Sequence, residues 1–346
     1  MPGIPVFTDE ESLERFMSNP MPETVDMMRR LDGDIMILGI GGKMGPTLGL
    51  TALKAIREAG VDKNVYGVAR FSNKTAREKL ERWGVACITC DLLEPEQVAG
   101  LPDIKNIVFM AGRKFGQVGS DHLTWALNTI VPANVARAFP DGNFTVFSTG
   151  SIYSMWPVES DGPSESDRFS SVGEYANSCL GRERVFEYYS QRNGSTALIY
   201  RLNYAIDLRY GVIFEVGKSV FEGRAIDLTM GYANVIWQGD ANNIALRCLE
   251  HTASPPSILN VTGDKVRIRD VAVRFGEIMG KKPIFEGSEE PKAFLSDNTR
   301  MKELLGAPPT TLDNMINWIA QWLEQGGPTL DKPTHYQVKN GQFLDD

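Results

Sequence analysis

The run Asp34-Ile35-Met36-Ile37-Leu38 leads straight into Gly39-Ile40-Gly41-Gly42-Lys43-Met44-Gly45, and no other stretch of the chain restricts its fold as much. An apolar run this short reads as a buried strand. The glycines read as a tight turn, and Thr47 to Ala59 as a helix that accepts Pro46 in its first turn. In a strand–turn–helix unit the first glycine permits the turn and the second lets the backbone approach a diphosphate. The third lets helix and strand pack closely, while the helix N-terminus adds partial positive charge. With 33 glycines in 346 residues, such a triplet also arises by chance; its place between strand and helix gives it meaning. Gly39, Gly42, Lys43, Met44 and Gly45 are therefore the candidate diphosphate-binding residues.

Strands and helices then alternate. Strands are expected at 64–70, 85–89, 104–110, 144–148 and 196–200, with helices at 75–83, 94–101, 121–139 and 173–191 between them. Such alternation predicts a Rossmann-type doubly wound parallel sheet over residues 34–201. Beyond 201 the rhythm loosens into a smaller α/β cap, 202–327, which would bind substrate. Residues 1–33 form a helical extension, with Thr8-Asp9-Glu10-Glu11 as a helix start, and 328–346 form a polar tail expected to be mobile or partner-dependent.

The chain is 42% hydrophobic and 23% charged, enough to bury a large core, and its net charge of −8 argues against a nucleic-acid surface. No apolar stretch approaches the ~20 residues of a membrane span, so a cytoplasmic protein without membrane contact is expected. Cys87, Cys90, Cys179 and Cys248 read as free thiols. The sulfurs of Cys87 and Cys90, three apart on a strand, would point to opposite faces. His122, His251 and His335 lack metal-ligand spacing, and no metal site is expected.

At the end of the second strand stands Arg70, with Ser72 and Lys74 close behind. This arrangement would balance a 2′-phosphate and favours NADP over NAD; a solvated basic loop is the plainer reading. Asp91-Leu92 after the third strand is placed to meet the adenine, or to start a helix.

These motifs together resemble the extended short-chain dehydrogenases/reductases, the NAD-dependent epimerase/dehydratase family, over residues 34 to 325. Gly39, Gly42 and Gly45 match its Gly-x-x-Gly-x-x-Gly turn, Asp91-Leu92 its adenine-contacting pair, and Met110-Ala111-Gly112 its small-residue turn after the fourth strand. Asn128 matches its helix asparagine, and Phe147 to Tyr153 the segment that brings the catalytic hydroxyl, here Thr149. The resemblance implies Tyr175 as proton donor or acceptor, Thr149 as the carbonyl-orienting hydroxyl and Asn128 as organiser of the local network. It also implies a homodimer pairing through helices such as 121–139. Tyr153 and Tyr204 would line the nicotinamide end, Arg113, Lys114, Ser151 and Tyr204 would lie toward the substrate, and the segment at Trp237 would lie on the substrate side, although Trp237 also reads as plain core.

The pattern departs in one place. Family members carry Tyr-x-x-x-Lys, and here the register reads Tyr175-Ala176-Asn177-Ser178-Cys179. An unassisted phenol titrates near 10, and a cysteine adds no positive charge to help it. Arg182, on the same helical face, or Arg113 or Lys114 in the loop after the fourth strand, would have to supply that charge; each also reads as an ordinary solvated residue. Two functions follow. One is an NAD(P)-dependent oxidoreductase or epimerase acting on a sugar, sugar nucleotide or sugar acid; the other is a non-catalytic NADP-binding sensor or scaffold.

Overall fold

The computed structural model describes residues 7, 9–114, 119–330 and 332–342. Seven parallel strands form the central sheet: β1 (Ile35–Leu38), β2 (Val65–Ala69), β3 (Ala86–Thr89), β4 (Asn106–Phe109), β5 (Asn143–Thr149), β6 (Thr196–Leu202) and β7 (Ser257–Val261). Their order is β7-β6-β5-β4-β1-β2-β3. The order reverses direction at β1, so the carboxyl ends of β1 and β4 flank a crevice. Crevices of this kind hold ligands in open α/β sheets. Every side chain of β1 and β4 is buried, as expected of strands covered on both faces.

Helices α1 (Glu10–Met17), α2 (Pro22–Arg30), α3 (Gly45–Ala59), α4 (Lys74–Trp83), α5 (Pro95–Ala99), α6 (Asp121–Trp125), α7 (Val131–Ala138) and α8 (Gly173–Asn193) precede β6. After it come α9 (Val212–Glu222), α10 (Gln238–Arg247), α11 (Ile268–Met279), α12 (Thr299–Leu305) and α13 (Leu312–Glu324). Two features differ from the sequence expectation. The helix expected at 121–139 is broken by a π-turn at Ala126–Ile130, and α2, in the extension, was not anticipated. The strand at 257–261, in the region read as cap, joins the edge of the central sheet beside β6.

The extension packs onto the cap. Asp9 caps α1, accepting the Ser12 N–H at 2.7 Å; Thr8 of the expected helix start lies outside the described residues. Phe7, Leu13 and Met17 join Trp237, Trp318 and Trp322 in the cap core. Trp237 is thus a core residue rather than a substrate contact. Arg209, in the cap, donates to Glu14, which also pairs with Lys79 of α4 at 2.8 Å, so one carboxylate of the extension ties both units together.

Beneath the sheet's carboxyl edge, Arg201 of β6 and Glu183 of α8 form a fully buried two-pronged pair at 3.1 and 2.8 Å. Tyr153, expected to line the nicotinamide end, is instead buried against this pair: it accepts from Arg201 and donates to Asn260 Oδ1 at 3.0 Å. Removing one member of a buried pair leaves the other charge uncompensated. Glu183→Ala is expected to cost about 3–5 kcal/mol of stability, measured by urea denaturation; a loss below about 1 kcal/mol would show that Arg201 finds other compensation.

Candidate active site

The glycine turn is built by close approach. A Cβ at Gly45 would stand 2.1 Å from the Ile40 carbonyl oxygen, and one at Gly39, where φ is +92°, 2.7 Å from the Ala111 nitrogen. Gly42 is different. The nearest protein atom to its would-be Cβ is 3.4 Å away, so any need for glycine there comes from the groove side. The groove runs from this turn past Ala69 to Asn73, Asp91-Leu92 and Met110 to Gly112, enclosing about 270 Å³.

Arg70 and Ser72 line its outer end and are exposed. Between them Phe71 holds φ at +47°, a strained backbone that turns the loop into the groove. Asp91 lines the groove while its carboxylate accepts the Leu93 N–H at 3.0 Å; α5 begins after Glu94, so Asp91 shapes a turn rather than capping a helix. Met44 is buried, leaving only its backbone for the turn. The Lys43 side chain extends to the cap, its Nζ 3.1 Å from the centre of the Tyr210 ring. Desolvation lowers its pKa to about 7, against the opposing pull of Asp207.

Thr149 closes β5 and Tyr175 sits in the first turn of α8. The Tyr175 hydroxyl hydrogen-bonds Thr149 and Cys179. Burial pushes the phenol well above its ordinary range, and the Cys179 thiol likewise, with Arg182 pulling both the other way. Cys179, four residues farther along α8, thus meets the phenol. Asn128, on the π-turn, accepts from the Arg113 N–H at 2.9 Å and from Arg182 Nη2 at 2.6 Å. Its Nδ2 donates to the Arg113 carbonyl and to Ser178 Oγ, both at 2.9 Å. It thus joins the loop after β4 to α8.

Of the three cations weighed to replace the lysine, Arg182 is buried rather than solvated. The Arg113 guanidinium reaches Ser120 Oγ at 3.0 Å, within its own loop. Lys114 Nζ lies 6.0 Å from the Tyr175 ring centre, and burial lowers its pKa to about 8. Lys114, Ser151 and Tyr204 meet at a hollow of only about 20 Å³, room for one water.

The tail closes that hollow. Far from being mobile by construction, its described part is tied down at several points. Thr334 donates its N–H and hydroxyl to Glu215 of α9, at 2.5 and 2.9 Å, and its carbonyl accepts from Lys114 at 3.2 Å. Gly341 packs so tightly on Val172 that a Cβ there would lie 2.1 Å from its carbonyl oxygen. Behind the tail lies a second hollow of about 350 Å³, lined in part by Glu215, Lys218, Lys332 and Tyr336. Sequence reasoning missed Glu215 and Thr334. The signal for Glu215 was one acid in the apolar start of Val212-Ile213-Phe214-Glu215-Val216; Thr334 offered none. Among the described residues no cluster of His, Cys, Asp or Glu is placed to hold a metal ion, and no helix is long and apolar enough to cross a membrane.

Residues 35–206, just under half of the chain, match the model of the NAD dependent epimerase/dehydratase family. Solved structures share its fold. A UDP-glucuronic acid 4-epimerase from Bacillus cereus, in complex with NAD and a fluorinated UDP-sugar, is 16% identical, with a TM-score of 0.70 over 84% of this chain and 99% of that one. A UDP-glucose 4-epimerase from Thermotoga maritima is 16% identical, with a TM-score of 0.69 over 85% and 99%. A dTDP-glucose 4,6-dehydratase from Bacillus anthracis, in complex with NAD, is 13% identical, with a TM-score of 0.71 over 85% and 97%. No curated protein matches the chain.

The two kinds of glycine in the turn separate experimentally. Gly45→Ala is expected to lose about 1–3 kcal/mol or more through the clash with Ile40, while Gly42→Ala stays within about 0.5 kcal/mol of the parent. Thermal unfolding of both variants checks this, and equal losses would show that the turn is built otherwise.

Proposed function

We propose that this protein is an NAD(P)-dependent oxidoreductase or epimerase acting on a small carbohydrate-like substrate: a sugar, sugar nucleotide or sugar acid. The observation that carries the reading is the meeting of the Thr149 and Tyr175 hydroxyls in a chain whose glycine turn opens a groove that reaches Ala111 and Gly112. A dinucleotide fits the residues present. The backbone at Gly41 and Gly42 is open, Gly42 has space where a side chain would intrude, and α3 points its N-terminus at the same spot. When bound, the nicotinamide donates or accepts the hydride.

The chain's own residues do the rest. Lys43, Met44 and Gly45 would border the diphosphate, Asp91-Leu92 the adenine, and Ala111-Gly112 the nicotinamide side. Thr149 would orient a carbonyl or hydroxyl, and Tyr175 would give or take its proton. Burial keeps the resting phenol protonated, which suits it to donate first. Ser151, Lys114 and Tyr204 would face the substrate, with Arg113 behind them. Arg70 and Ser72 would receive a 2′-phosphate, hence NADP as the preferred cofactor.

Cytoplasmic location and a homodimer belong to the same proposal. Leu123, Trp125 and Ile130 are large apolar residues left exposed on the helical stretch 121–138, an apolar face of the kind a partner subunit covers.

A second reading, a nucleotide-binding sensor or scaffold, draws on Cys179 and on the narrow hollow beside Tyr175. Calorimetry with both nucleotides, followed by turnover on a panel of sugars and sugar acids, decides. The enzyme should bind nucleotide and turn over, and Tyr175→Phe should lower the rate by about 10²–10⁴. Tight binding with no turnover of any panel member selects the sensor, and no binding of either nucleotide overturns both. Arg70→Glu should weaken NADP binding about tenfold more than NAD binding; equal loss removes the 2′-phosphate argument.

A further inference from the structure

Arg182 is a buried guanidinium with no ion-pair partner among the described residues. It is 6% exposed; Nη1 donates to the Phe147 carbonyl at 2.7 Å and Nη2 to Asn128 Oδ1 at 2.6 Å, both neutral acceptors. Its Nε has no hydrogen-bond partner among the described residues. The neighbouring carboxylate, Glu183, is committed to Arg201. The fold also makes room for this cation: a Cβ at Gly112 would stand 2.2 Å from Arg182 Nη2. An unpaired buried charge is costly, and such a site holds it only where something gains from the field.

What gains is on the same helix. Tyr175, Cys179 and Arg182 are spaced by four and three residues, so all three lie on one face of α8. When the Tyr175 proton passes to a substrate oxygen, negative charge stays on the oxygen of this partly buried phenol. The other groups around that oxygen do not match the need. Thr149 on β5 is neutral. Cys179 is either neutral or of the wrong sign. Lys114, on the loop after β4, donates to Thr334 and is drawn toward Glu215. Lys43 lies across the cleft on Tyr210, and Glu183 opposes ionisation of Cys179.

We propose that Arg182 is the positioning residue for proton transfer at Tyr175, supplying from one turn farther along α8 the positive charge that position 179 lacks. The charge has moved down the helix rather than vanished. This rests on the assignment of Tyr175 above, but its test reads the phenol directly and needs neither nucleotide nor substrate.

The full-length protein carrying a fluorinated tyrosine at position 175, whose more acidic phenol ionises in an accessible range, is titrated by near-ultraviolet absorbance. Arg182→Gln, which can keep a hydrogen bond but not the charge, should raise the midpoint by about one unit or more. Arg182→Lys should stay close to the parent, and adding Cys179→Lys to Arg182→Gln should bring the midpoint back down. Lys114→Met should move it less than Arg182→Gln does. A purely structural Arg182 would give equal midpoints for the Gln and Lys variants, and that result overturns the proposal, as does a larger shift from Lys114→Met. If Arg182→Gln does not fold, Cys179→Lys alone decides. With Arg182 already supplying the field, it should lower the midpoint by less than about one unit; a drop of about two units or more, as for a phenol with no cation near it, counts against the proposal. Loss of nucleotide binding in the parent would sink the oxidoreductase reading while leaving these midpoints to stand on their own.

Discussion

Two absent side chains hold the nucleotide half together. Without a Cβ at Gly45 the Ile40 carbonyl can fold under the start of α3, and without one at Gly39 the end of β1 can lie against Ala111. The first contact aims the helix N-terminus at the groove; the second brings the turn after β4 to the same place. Because β1 pairs with both β2 and β4, strand ends from both sides of the sheet are set by these contacts. The cap is registered from there. Gln238 and Asn242 of α10 both donate to the Thr47 hydroxyl, at 3.1 and 3.0 Å, one turn into the helix that the glycines position.

Much of this was legible in the residues because its signals are local. Glycine spacing, the alternation of apolar runs with amphipathic ones, and the helices at 268–279 and 312–324 need no partner to be read, and the parallel sheet follows from their order. What escaped depended on distant partners. The π-turn at Ala126–Ile130 has no composition signal; it exists where Asn128 must reach both Arg113 and Ser178. Tyr153 reads like any cleft tyrosine until Arg201 and Asn260 claim its hydroxyl. Polarity made the tail look loose, yet Thr334 and Tyr336 are buried, because Glu215 and Lys114 lie waiting for Thr334 from opposite banks. The pair Thr149 and Tyr175 was legible only through the resemblance to a known family, whereas the burial of Arg182 was one of two readings its helix position allowed.

The buried charges on α8 follow two different rules. Arg201 meets Glu183 in a two-pronged pair, which satisfies both ions and anchors the helix to β6. Arg182, one residue before Glu183, turns to the opposite side and finds only a carbonyl and an amide oxygen. Adjacent positions on one helix thus serve opposite ends: one neutralises itself for stability, the other keeps its field for its neighbours. The price of the second arrangement is borne by the first, since a helix pinned at Glu183 cannot swing Arg182 out to water.

The crossing of the tail makes two positions one variable. Thr334 is held by α9 of the cap on one side and by Lys114 of the loop after β4 on the other, so it acts as a tie rod between the two banks of the cleft. Through this one residue the place of α9 is tied to that of Lys114, whose ammonium lies 6.0 Å from the centre of the Tyr175 ring.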